Sequence, residues 1–211
     1  MFTGLIEEIG KIEHLKKIGS GIELTITCQK ILNKINIDDS IAVNGTCLTV
    51  TKINHNGFIA QAVDETIRKT TLKNLRMGDE VNLETALTLQ KMLGGHLVLG
   101  HIDSVGRLVD IRKEDLGVLF SFQFDTQYSK YLVEVGSIAI DGVSLTLAKL
   151  DIGKFTVSVI PHTLQNTIFH NYKLGQEVNL EFDIIGKYVE RILTERNQKQ
   201  NSLQEIIEKF W

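Results

Sequence analysis

Ser40–Val50, S-I-A-V-N-G-T-C-L-T-V, returns as Ser137–Leu147, S-I-A-I-D-G-V-S-L-T-L, and this pair of stretches decides the fold. The offset from Ser40 to Ser137 is 97 residues, and it holds elsewhere: Glu65–Glu84 falls on His162–Glu181, both ending in E-V-N-L-E. Upstream, Gly4–Lys11 lies over Gly100–Arg107 at an offset of 96, so the second copy carries one extra loop residue before Ser137. A period this long is too large for a solenoid unit and suits a small domain, which predicts two sister domains. Within the repeated stretch, Asn44-Gly45 and Asp141-Gly142 stand between alternating flanks and supply the two positive-φ residues that a type I′ hairpin turn requires.

The surrounding segments are β-rich. Phe2–Ile12 and Gly21–Cys28 flank a polar turn and read as a hairpin, Thr49–Ile53 and Phe58–Val63 are joined through Asn56-Gly57, and Glu80–Leu83 follows a Met-Gly-Asp turn. About six strands per copy, at these turn spacings, predict a small all-β barrel or sandwich. Thr85–Leu93 has mixed helical periodicity and leads into Gly94-Gly95, a backbone-permissive junction. The second copy then runs through Arg107–Phe124, Phe155–Ile160 and Glu177–Phe182, and the single proline, Pro161, falls where it ends a strand without removing a needed donor. Beyond Gly186 the period becomes helical: Tyr188, Val189, Ile192 and Leu193 share a face, and Ser202–Glu205 has the form of a capping box before Ile206, Ile207, Phe210 and Trp211. A helical tail with no counterpart in the first copy predicts a packing or oligomerisation element.

The chain has 211 residues, 43% of them hydrophobic, and a formal charge of -3 with no basic cluster, so a nucleic-acid partner is not expected. Met1–Glu8 has no basic region followed by an apolar run, and no long uncharged apolar stretch occurs, so the expectation is a cytoplasmic protein with no membrane partner. Two cysteines, Cys28 and Cys47, lie in one half without metal-ligand spacing, which argues against a disulfide framework and a metal site.

Several motifs, in order and at the right spacing, resemble the riboflavin synthase family: M-F-T-G-L-I-E-E-I-G, N-G-T-C-L-T-V, G-G-H-L-V-L-G-H-I-D and I-D-G-V-S-L-T-L. The resemblance implies two tandem six-stranded Greek-key β-barrels and a C-terminal α-helix that assembles a homotrimer. The units would be 1–93 (first lumazine-binding barrel with linker), 94–186 (second barrel) and 187–211 (oligomerisation segment). It implies a transferase without cofactor or metal, in which two molecules of 6,7-dimethyl-8-ribityllumazine yield riboflavin and a ribitylamino-pyrimidinedione by transfer of a four-carbon unit. The alternative is a non-catalytic antenna that binds lumazine or flavin.

Carried onto this sequence, the family's ligand segments are Gly4, Leu5 and Ile6 with Cys47, Leu48 and Thr49 and with Gln61, Ala62, Val63, Asp64, Glu65 and Thr66 in the first barrel. In the second they are Gly100, His101 and Ile102 with Ser144, Leu145 and Thr146 and with Ile160, Pro161, His162, Thr163, Leu164 and Gln165. Ser40 and Phe2 join them, the latter either beside the ligand or as a core aromatic. His101 is the candidate for proton handling, because an imidazole near neutrality can take and return a proton, or else it caps backbone groups at a strand end. Ser144 and Cys47 are candidates to add to the substrate ring or to position the water that does, or are packed strand residues. Asn44 and Asp141 belong to turn geometry; His14, His55, His96 and His170 carry no site argument. The chain departs from the family's pattern at Thr46, where a small thiol or aliphatic residue is usual, and at Val135, where a basic residue is sometimes found.

Overall fold

The computed structural model describes residues 1–196. Each copy closes into a barrel of six antiparallel strands. The first uses β1 (Glu8–Ile18), β2 (Gly21–Thr27), β3 (Ser40–Val43), β4 (Thr46–Asn54), β5 (Gly57–Ala62) and β6 (Glu80–Thr85). The second uses β7 (Ser104–Glu114), β8 (Gly117–Gln123), β9 (Ser137–Ile140), β10 (Val143–Asp151), β11 (Lys154–Val159) and β12 (Glu177–Phe182). Hydrogen-bonded order around the first wall is β1-β2-β5-β4-β3-β6, and the second repeats it strand for strand. Closure needs curvature, and irregularities in register supply it at matching points: Ile12/His14 and Val50/Lys52 in one barrel, Leu108/Asp110 and Leu147/Lys149 in the other.

Alternation along each strand sends one face inward. Ile12, Leu24, Ile26, Ile41, Val50 and Phe58 fill the first barrel, whereas Phe120, Phe122, Phe155, Phe169 and Tyr172 fill the second. The aromatic core packs edge to face at Phe120–Phe169, with centroids 5.2 Å apart. After β5 and β11 the chain makes one short helix in each copy, α1 (Asp64–Lys69) and α2 (Pro161–Asn166), each followed by a 3₁₀ turn. Pro161 opens α2 at its first turn, where a missing N–H costs nothing. Residues 86–94 contain no helix, against the periodicity of Thr85–Leu93. Their apolar side chains Leu89 and Met92 lie exposed instead of forming a buried face.

The hairpin turns are as the sequence predicts. Asn44 and Gly45 have φ of 46° and 75°, Asp141 and Gly142 43° and 81°. These two turns are also where the barrels meet. A Cβ on Gly45 would lie 2.6 Å from the Gly142 nitrogen, so glycine is required there for close approach as well as for φ. Around this contact runs a reciprocal buried network: Asn82 Nδ2 donates to Asp141 O and Asn179 Nδ2 to Asn44 O, while Ile168 N and Thr71 N donate to the Oδ1 atoms of Asn82 and Asn179.

Residues 2–7 differ from expectation. Phe2–Ile12 was assigned to one strand, but β1 begins at Glu8, and the segment before it is a strap that bridges Phe2 to Val98, in the matching strap ahead of β7. A third helix, α3, occupies residues 184–196 and leaves Ile185, Tyr188, Val189, Ile192 and Leu193 exposed along one side. The capping box at Ser202–Glu205 and the apolar residues to Trp211 lie outside the described residues. Among the described residues no helix is long and apolar enough to cross a membrane.

Candidate functional site

The two straps cross at the contact between barrels, and each one ends on the other barrel. Gly4 O accepts a hydrogen bond from Ser144 N at 2.8 Å, and Gly100 O accepts one from Cys47 N at 2.9 Å. Both glycines have positive φ, and a Cβ on either would sit 2.5 Å from the Cβ of the residue it faces. Only glycine lets the backbone come this close. The sequence grouping is therefore corrected: Gly4, Leu5 and Ile6 belong with Ser144, and Gly100, His101 and Ile102 with Cys47. Ile6 packs on the core of the second barrel, as this exchange requires.

The first site is thus built from β4, β5, α1 and the second strap. Strand alternation turns Cys47 and Thr49 outward, and Ser40, Thr49 and Gln61 stand in register on adjacent strands. Leu48 and Ala62 point into the barrel core, so they offer a ligand only backbone groups. Val63 is exposed just before α1. Asp64 and Glu65 are ion-paired along the helix to Arg68 and Lys69, and Thr66 O accepts a hydrogen bond from Thr70 Oγ1. His101 is exposed on the strap.

The second site repeats the plan from β10, β11, α2 and the first strap. Ser144 is half-buried and Thr146 exposed, Leu145 and Leu164 pack on the barrel core, and Ile160 is exposed just before Pro161 as Val63 is before Asp64. His162 and Gln165 are exposed and Thr163 half-buried on α2. Exposed Val63, Ile160 and Leu5, each beside polar strand residues, give both sites an apolar platform with hydrogen-bonding edges, the composition suited to a flat heterocycle. Phe2 does not reach either platform. It is fully buried under the straps with Ala42, Val98 and Ala139, which is the core-aromatic reading.

One residue beside the second site carries no site argument in the sequence. His96, buried just ahead of the second strap, places Nδ1 2.7 Å from Ser144 Oγ, while its backbone N–H donates to Thr3 O. Burial lowers its pKa, opposed by the charge of Asp183, which favours the uncharged imidazole. Its Nε2 is buried without a hydrogen-bond partner among the described residues. The G-G-H sequence was the available signal, since Gly95 lets the backbone press against Thr3 and Ser144. Cys47 has no such bond to an imidazole among the described residues: its N–H donates to Gly100 O and its side chain packs on the small core of Phe2, Ala42, Val98 and Ala139. Cys28 is buried, and its thiol is pushed up to about 12 by burial and by Glu8, which makes it inert.

A cleft of about 800 Å³ lies at the docked turns between Asn44 and Asp141, and none of these segments lines it.

Two closed barrels, each presenting a shallow platform completed by the other's strap, define a tandem-barrel protein of the lumazine-binding class. The family model described as "Lumazine binding domain" matches residues 3–86 and again 99–183. Over 209 residues, covering 99% of this chain and 96% of the relative, the chain is 44% identical to the riboflavin synthase of Bacillus subtilis. It is 42% identical to that of Actinobacillus pleuropneumoniae (93% and 91% covered) and 40% to that of Saccharomyces cerevisiae (98% and 94%). The fold is also that of LumP complexed with riboflavin, with a TM-score of 0.80 at 24% identity over 86% of this chain and 99% of LumP. The chain belongs to the riboflavin synthase family and is an enzyme of the transferase class.

Proposed function

We propose that the enzyme takes two molecules of 6,7-dimethyl-8-ribityllumazine, one on each kind of site, and moves a four-carbon unit between them to give riboflavin and 5-amino-6-(ribitylamino)pyrimidinedione. The atoms of the two products equal those of the two substrates, so no oxidant or co-reactant enters. The observation that carries this reading is the unequal pair of otherwise matching sites: Ser144 Oγ 2.7 Å from the His96 imidazole on one, and Cys47 without such a bond among the described residues on the other. A dismutation needs like cavities to hold like molecules and unlike chemistry to make one of them the donor.

In this reading the second barrel holds the donor. His96 Nδ1 takes the Ser144 proton as Oγ, or a water it orients, adds to C7 of the donor ring. His101, on the strap of the first site, removes and returns a proton at the C7-methyl group of the acceptor. Thr49, Gln61 and Thr146 supply hydrogen bonds to ring edges and ribityl oxygens. Holding both rings in reacting geometry contributes about 7–11 kcal/mol through effective molarity.

The exposed apolar side of α3 supports assembly of a homotrimer, in which the first barrel of one chain faces the second barrel of its neighbour. A formal charge of -3 with no basic cluster supports an enzyme without a nucleic-acid partner, and a cytoplasmic location belongs to the same proposal. Mixing the full chain with the lumazine tests the function. Riboflavin absorbance appears if the reading is right; a spectral shift without product makes the chain a binder only, and no change makes it neither.

A further inference from the structure

The straps complete the sites, and two buried glutamates hold the straps. Thr3 N and Gly4 N donate to Glu84 Oε1 and Oε2 at 2.7 and 3.0 Å, with Thr3 Oγ1 adding a third bond at 2.7 Å. In the other copy Leu99 N and Gly100 N donate to Glu181 Oε1 and Oε2 at 2.6 and 2.9 Å. Both glutamates are nearly inaccessible, at 1% and 2% exposure, and each stands one residue before the end of the last strand of its own barrel. The geometry therefore grips one residue from two sides: Gly4 by Glu84 of the first barrel and Ser144 of the second, Gly100 by Glu181 of the second and Cys47 of the first.

We propose that Glu84 and Glu181 are positioning residues of the two sites, each locking the strap that lies against the other barrel's reactive side chain, and that the Glu181 lock, which among the described residues lacks an ammonium partner like the one Lys91 gives Glu84, opens on acidification. The inference deepens the function proposed above and rests on it for its kinetic consequence only.

The two locks differ in their surroundings. Lys91 Nζ lies 3.1 Å from Glu84 and 2.9 Å from Glu7, so the first carboxylate sits in a compensated network that includes the Thr3 hydroxyl. Burial pushes Glu7 up, but hydrogen bonds from Thr85, Lys91 and Lys34 outweigh it and hold this partner at about 2, ionised at any working pH. Glu181 has leucine where Glu84 has Thr3. The charges facing it are Lys187 from α3 and the repelling Asp103 ahead of β7, these two paired with each other at 2.5 Å, while β9 presents only Ala139. Burial raises its pKa to about 7, against the two backbone bonds and Lys187. Protonation replaces one acceptor by a hydroxyl directed at an amide N–H, so one of the two strap bonds is lost.

The test is amide exchange on the full chain from pH 8 to 6, expressed as protection relative to intrinsic rates, with turnover measured alongside. The expected result is that protection of Leu99, Gly100 and Cys47 falls about tenfold on acidification while that of Gly4 and Ser144 holds. Glu181→Gln is expected to lower kcat by about 10–100-fold, the cost of a small misplacement, with KM within about threefold and with the acid limb of the rate near pH 7 removed. Glu84→Gln is expected to lower kcat and to keep that limb. Equal protection of both straps across the range, or wild-type kcat with an unchanged limb in Glu181→Gln, overturns the proposal. If Glu181→Gln does not fold, the exchange profile of the unsubstituted chain decides alone. If riboflavin is not formed but protection falls on the second strap only, the function proposed above fails and the lock stands.

Discussion

The ends of the two barrels share strand order, register irregularities, turns, helices and straps, yet a few polar groups at the two sites and turns differ between them. Ser144 with His96 stands against Cys47, and Asp141 with Tyr172 stands where the first copy has Asn44 and Leu75. Duplication supplies two cavities of one shape, and the difference between them lies in side chains that leave the backbone unchanged. That combination suits a reaction whose two substrates are identical and whose roles are not.

The comparison breaks most sharply at His96. His96→Gln is expected to lower kcat by about 10²–10⁴-fold, the usual contribution of a positioned base, while ligand binding persists. His101→Ala should likewise bind and turn over slowly. Wild-type turnover in either variant, measured by riboflavin absorbance, removes that histidine from the mechanism. Next in size, Gly4→Ala and Gly100→Ala each force a side chain into left-handed backbone against Ser144 or Cys47, and each should cost about 1–3 kcal/mol in denaturant unfolding. Similar losses are expected, because the straps are built alike.

Asp141 offers a pH test of the same asymmetry. Burial raises its carboxyl from 3.8 to about 7, opposed by the Tyr172 hydroxyl at 2.5 Å and by Asn179 N–H. A raised folded pKa means that the native state holds a proton the unfolded chain gives up. Its contribution to stability is present below pH 3.8 and is lost as pH rises through about 7. Asp141→Asn, which restores the first copy's residue, should make unfolding free energy fall less steeply between pH 4 and 7, the share of Glu181 remaining; an unchanged slope refutes that assignment. The smallest effect is at Val135, a β-branched residue at φ 61°, where the first copy has Asp38 at 73°. Val135→Asn should raise stability by up to about 1 kcal/mol and Tm by roughly 2–4 °C, since asparagine tolerates left-handed backbone.

The fold was legible where local chemistry dictates it. Asn-Gly and Asp-Gly turns, alternating strands and a single proline after β11 are short-range signals, and a repeat offset doubles each of them. That the two copies carry matching segments at corresponding places was legible for the same reason. What the sequence could not show is which barrel a strap lies on: Gly4 is followed by the first barrel and touches the second, an exchange fixed by long-range packing of Phe2, Val98 and the two glutamates. His96 was hidden too, because its role depends on a contact 48 residues away in sequence. Thr85–Leu93 had a helical pattern, but between a strand and a pair of glycines it has no surface on which to bury a helical face, and its leucine and methionine side chains face outward.

The unequal sites are tested most directly by comparing riboflavin formation at saturating lumazine in Ser144→Ala and Cys47→Ala, each checked for folding and for bound ligand. The account predicts a loss of at least about 100-fold in Ser144→Ala, where an activated hydroxyl disappears, and of about tenfold or less in Cys47→Ala. Equal losses in the two variants, or wild-type turnover in Ser144→Ala, would contradict it.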